Sequence, residues 1–165
     1  MRKILLLYCI LLAGCSSIAG HVSVDTSEFD NSVTVDMRRI AVDNGIVMGL
    51  FWTSADKDSV TAMVGMSGVD AIGPSPQLEV RTGAVIQDYA PIDGRALFRD
   101  DGGTGWSFGR YHLPLETLEA MIAAESCVLR IHTGIEYADG EFSKGGIGTA
   151  RGAAKRFLAR VREQM

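Results

Sequence analysis

Cysteine is scarce in this chain: it occurs only as Cys9, Cys15 and Cys127. Cys9 and Cys15 fall close to the N-terminus, so Cys127 stands alone in the remainder. A lone thiol has no partner for an internal disulfide, and the fold must be held by packing. Basic excess is lacking too. Sixteen Lys and Arg face twenty Asp and Glu, for a net charge of −4. Such a balance argues against sequence-independent binding to nucleic acid. The three histidines, His21, His112 and His132, show none of the close spacing that zinc sites use. Neither a metal nor a cofactor is expected. There is no internal repeat and no low-complexity tract.

The rest is ordinary globular material. Apolar residues make up 47% and charged residues 22% of 165 positions, enough for one domain with its own core. Nineteen glycines imply many turns. Alternation of period two begins at Val33, Val35 and Met37 and returns at Val60, Ala62, Val64 and Met66. Asp43-Asn44-Gly45 is a hairpin signal. The segment 46–53 is apolar on both faces and reads as a central strand covered on both sides. His-Val-Ser-Val at 21–24 reads as an edge strand. Leu78 and Val80 mark a further strand, and 84–98 has room for one or two short ones. A strand over 104–112 sets Trp106 and Phe108 on one face and Gly105, Ser107 and Gly109 on the other.

Two helices interrupt the strands. Pro114 followed by Leu115, Leu118, Met121 and Ile122 predicts one over about 114–124. Thr149 is placed to cap a second over about 150–163. Between them lie a strand over 127–132 and its hairpin partner within 135–142. The fold class is therefore α+β: an antiparallel sheet or β-sandwich with one inserted helix and one C-terminal helix. Its expected sheet core is Val35, Ile46, Met48, Leu50, Trp52, Val60, Val64, Leu78, Val80, Trp106, Phe108, Leu129 and Ile131.

No candidate for chemistry stands out from ordinary structure. Cys127 and His132 fall on opposite faces of a strand, so the thiol reads as core. Asp100-Asp101-Gly102-Gly103 lacks the further ligands of a calcium loop. Gly145-Gly146-Ile147-Gly148 lacks the context of a phosphate loop. Ser143 and Lys144, adjacent in extended chain, point apart. The clearest asymmetry is at the C-terminus. Arg151, Lys155, Arg156, Arg160 and Arg162 face only Glu163, whereas 16–150 holds nine basic and nineteen acidic residues. These five form a possible interaction surface for anionic lipid or an acidic partner, unless they are simply the solvated side of a docked helix.

The N-terminus carries the most specific signal. Arg2-Lys3 precedes an uncharged apolar run over 4–12, too short for a stable transmembrane helix, and Leu12-Ala13-Gly14-Cys15 follows directly. This sequence resembles the signal peptide and lipobox of bacterial lipoproteins, a resemblance confined to residues 1–15. It implies a cleaved signal peptide over 1–14, a palmitate-type lipid anchor on Cys15, a tether over 15–31 and one globular α+β domain over 32–165. Loss of Arg2 and Lys3 would leave 14 basic against 20 acidic side chains. Ser16, where retained inner-membrane lipoproteins often carry aspartate, implies the periplasm-facing side of an outer membrane in a Gram-negative cell. The expected partners are the lipid bilayer, through Cys15, and another envelope protein. The expected function is a non-enzymatic binding or assembly module, with an envelope hydrolase or a carrier of a small apolar ligand as alternatives.

Overall fold

A computed structural model describes residues 19–67, 72–99, 105–132, 136–146 and 148–165. The lipobox and the 100–103 turn lie outside them. The chain is α+β. Ten strands run in order as β1 (Val22–Thr26), β2 (Val33–Ala41), β3 (Ile46–Thr53), β4 (Asp56–Ser67), β5 (Leu78–Thr82), β6 (Val85–Tyr89), β7 (Leu97–Arg99), β8 (Trp106–Pro114), β9 (Cys127–His132) and β10 (Tyr137–Glu141). Helix α1 (Leu115–Ala123) is inserted after β8, and α2 (Ala150–Gln164) closes the chain. One antiparallel sheet has the order β1-β2-β3-β4-β8-β7 and a second the order β10-β9-β5-β6. The tether expected over 15–31 thus contains the edge strand β1, paired with β2 from Val22↔Met37 to Thr26↔Val33.

Local chemistry accounts for the turns and caps. Asn44 and Gly45 both take positive φ, 48° and 79°, the backbone that a tight two-residue hairpin loop needs. Ile46 N–H donates to Asp43 C=O at 2.8 Å to close it. Thr149 caps α2 by accepting from Gly152 N–H at 3.2 Å. Pro114 ends β8 and precedes α1 without a side-chain cap.

The inner face of the larger sheet meets the smaller sheet and both helices in one core. Met37, Met48, Leu50 and Val64 come from the first sheet, Leu78, Val80, Leu129 and Ile131 from the second, and Phe157 and Val161 from α2, all fully buried. Burying such side chains contributes on the order of 1.5–3 kcal/mol each.

Two expectations fail. Strand β3 is not covered on both sides: Phe51 on its outer face is 37% exposed and Val47 is half-buried. The six-stranded sheet packs its helices and partner sheet on one face only, and an apolar outer residue there meets solvent. Trp106 and Phe108 are buried, but outside the shared core. Their cross-strand partners Ser67 and Gly65 alternate with Val64 and Met66, which sit opposite Gly109 and Ser107. The small residues of β8 therefore continue the inner row of Tyr111 and Leu113, and the aromatics look outward. Tyr111 itself fills the space above Gly109, where an added Cβ would meet its phenol ring.

Candidate functional site

An irregularity in β2 creates the most distinctive surface. Its pairing with β3 slips between Met37↔Leu50 and Ile40↔Met48. This β-bulge keeps Met37 and Ile40 buried although they are three positions apart. The two residues between them, Arg38 and Arg39, both line a cavity of about 830 Å³ on the outer side of the large sheet. Bulges commonly re-aim side chains in this way. On β3 the residue opposite the bulge is Gly49. A Cβ there would stand 3.2 Å from Met63 Cε and 3.3 Å from Met37 C=O, so a larger side chain would press on the cavity wall.

Neighbouring strands complete the lining. Ser23 and Asp25 come from β1, Asp36 from β2 and Met63 from β4, while Arg99 and Trp106 lie across the sheet on β7 and β8. The Arg39 guanidinium carbon stands 5.5 Å from the Trp106 ring centroid, within cation–π range. Trp106 also stacks on Phe108, with centroids 4.3 Å apart. Burial pushes the Asp36 carboxyl above its ordinary range, an effect opposed by Arg38 and Arg99 and reinforced by Asp25. Trp106 is only 2% exposed. Its indole N–H is the single buried side-chain polar atom without a hydrogen-bond partner among the described residues. Leaving such a donor unmet costs roughly 1–3 kcal/mol.

A second cluster joins Asp56, Ser59 and His112. Ser59 Oγ donates to Asp56 Oδ2 at 2.6 Å and lies 3.5 Å from His112 Nδ1, while His112 Nε2 is 3.8 Å from the same carboxylate oxygen. The residue types match a hydrolytic triad but the wiring does not. A nucleophilic serine gives its proton to a histidine that a third group orients. Here the hydroxyl proton is committed to the carboxylate, and the carboxylate touches both partners.

The other candidates separate. Cys127 is buried in the core, and burial pushes its thiol up to about 12. His132 is on the opposite face, 2.8 Å from Glu79. Ser143 Oγ donates to Glu141, and Lys144 pairs with Asp43 at 2.8 Å. Thr149 Oγ1 turns back to Gly146 C=O at 2.7 Å, so the glycine loop hydrogen-bonds to its own helix cap. Among the described residues no three His, Cys, Asp or Glu side chains gather where they could hold a metal.

The basic C-terminal residues are dispersed rather than assembled. Arg151 points inward and donates to Ile122 C=O at 2.8 Å and Ser143 C=O at 2.9 Å. It ties α2 to α1 and to the chain leaving β10. Arg156 reaches Gly20 C=O at 3.3 Å. Arg160 pairs with Glu163 and Arg162 with Glu119 of α1. Lys155 is exposed.

Sequence reasoning missed both the cavity and the Asp56–Ser59–His112 cluster. The adjacent arginines between Met37 and Ile40 were the one available sign of the bulge, because they break the period-two pattern. No helix among the described residues is long and apolar enough to cross a membrane. No protein-family model matches the chain, and no curated protein and no solved structure is similar to it.

Proposed function

We propose that the chain is an envelope lipoprotein, exported, cut before Cys15 and held to a membrane by lipid on that cysteine, with its α+β domain serving as a binding module. The observation that carries this reading is Leu12-Ala13-Gly14-Cys15 directly after the apolar run over 4–12. Small residues before the cysteine suit a signal peptidase. More than one acyl chain would give stable residence at the bilayer. Ser16 favours the outer membrane where the cell has one. The cavity beside Trp106 supports binding, since it sets charged side chains beside Met63 and Trp106. A serine hydrolase built on the Asp56–Ser59–His112 cluster would need Ser59 activated by His112, and the Ser59 hydroxyl donates to Asp56 instead.

Growth with an alkyne-tagged fatty acid tests the anchor. The natural chain should take up label and sediment with membranes, and Cys15→Ser should abolish the label. Equal labelling of the two proteins would refute the reading.

A further inference from the structure

We propose that the outer side of α2 lies against the headgroups of an anionic bilayer, so that the domain is held on the membrane in one orientation. The inference rests on the reading of Cys15 as the lipid anchor and names the face that the anchor brings down.

The length of the tether carries the argument. Gly20 is buried and fixed to the domain. Its N–H donates to Arg39 C=O at 3.3 Å, and its own C=O accepts from Arg156 of α2 at 3.3 Å. It lies so close to the helix that a Cβ there would stand 3.0 Å from Ala153 Cβ. Only residues 16–19 separate Gly20 from Cys15. At roughly 3.5 Å per residue even a fully extended tether spans about 18 Å. A helix is about 10 Å across, so lipid on Cys15 keeps α2, against which Gly20 packs, beside the headgroups. Charge favours the same face. Residues 16–150 hold nine basic and nineteen acidic side chains, a balance that an anionic surface repels. Along α2 the balance reverses, with Arg151, Lys155, Arg156, Arg160 and Arg162 against Glu163. Arg151 turns inward. Arg160 and Arg162 pair with Glu163 and Glu119, but these pairs are exposed and hold weakly. Lys155 is exposed beside them. Gly152 and Ala159 fall on the side of α2 opposite the buried row of Phe157 and Val161. They are too small to hold that side off a surface, and they offer no bulky apolar group to insert. The contact is therefore with headgroups rather than with the hydrocarbon.

The test uses protein extracted from membranes and reconstituted into vesicles of phosphatidylcholine and phosphatidylglycerol, with a nitroxide on a fraction of the headgroups. A fluorophore is attached at Ala159→Cys on the outer side of α2 or at Ile86→Cys on β6, the edge strand of the smaller sheet. Both positions are exposed, and the buried thiol of Cys127 does not compete for the label. Mass spectrometry of the N-terminal peptide from each sample scores acylation apart from orientation. Quenching at 159 should exceed that at 86 several-fold. Omitting phosphatidylglycerol should lower quenching at 159. Lys155→Glu should also lower it, with the urea midpoint unchanged because Lys155 is exposed. Acylated protein quenched equally at the two positions, or more at 86, would overturn the proposal and leave the anchor standing. Quenching at 159 indifferent both to phosphatidylglycerol and to Lys155→Glu would overturn it as well. A sample in which Cys15 carries no lipid would overturn the anchor and the orientation together.

Discussion

The two sheets each turn one face outward, and they treat polar groups there in opposite ways. On the smaller sheet the charges interlock. Arg130 makes two hydrogen bonds to Asp139, at 2.7 and 2.9 Å, lies 3.7 Å from Glu79 and sits over the Tyr137 ring at 3.9 Å. His132 closes the group on Glu79. Arg130 holds the Asp139 carboxyl below its ordinary range. On the larger sheet burial pushes Asp36 the other way, and Trp106 keeps an unmet donor. The first surface is settled by the chain's own contacts. The second leaves the Trp106 indole N–H unmet and the Asp36 carboxyl partly desolvated, a cost that natural proteins accept mainly at functional sites.

Substitutions can break or sharpen this contrast. The largest effect belongs to the core beneath both surfaces. Phe157→Ala should cost about 3–5 kcal/mol, the range for deleting a buried aromatic, because Phe157 is fully buried. Urea denaturation would show it, and a loss under 1 kcal/mol would mean that α2 is not docked. Gly65→Ala comes next. Its Cβ would run into Ser107 C=O and the Phe108 backbone, so the outer face of β4 and β8 must shift. Overpacking of this kind costs about 1–3 kcal/mol, read as a lower denaturation midpoint.

The direct comparison between the faces is Asp139→Asn against Asp36→Asn. Asp139→Asn should lose on the order of 1 kcal/mol or less, given that its ion pair is partly exposed. Asp36→Asn should leave stability at neutral pH unchanged or raise it. The pH dependence has opposite signs at the two positions. The depressed Asp139 carboxyl contributes stability above the unfolded value of about 3.9, and this is lost as pH falls through the lower folded value. The raised Asp36 carboxyl imposes a penalty that is present in full above its folded value and relieved as pH falls toward the unfolded one. From pH 7 downward, then, the natural chain should gain on Asp36→Asn before it loses on Asp139→Asn. Denaturation midpoints of all three proteins across that range would show whether the order holds. Cys127 tests the core between the two faces. With burial raising its thiol to about 12, a thiol reagent should label it slowly until the protein is unfolded. Cys127→Ala should cost about 1 kcal/mol. Rapid labelling of the native protein would place Cys127 outside the core.

The elements were legible where a local rule governs them. Asn44-Gly45 announced its hairpin, Thr149 its cap, and the alternation from Cys127 to His132 the parting of thiol and imidazole. The site was not legible in the same way. Period two separates the faces of β8 but does not say which turns inward. Small residues at 107 and 109 proved to be the inner row because Tyr111 fills the space above Gly109. The bulge depends on how β2 pairs with β3, and Gly49 permits it from the opposite strand. Ser59 and His112 meet only because β4 and β8 pair in the register Thr61↔His112, a long-range contact that no local pattern encodes.

The proposed anchor on Cys15 would determine where either surface meets its surroundings. Mass spectrometry of the N-terminal peptide from protein extracted from membranes tests it most directly. The account predicts a peptide that begins at Cys15 and carries acyl lipid on its sulfur. A peptide that begins at Met1, or one in which Cys15 is an unmodified thiol, would contradict it.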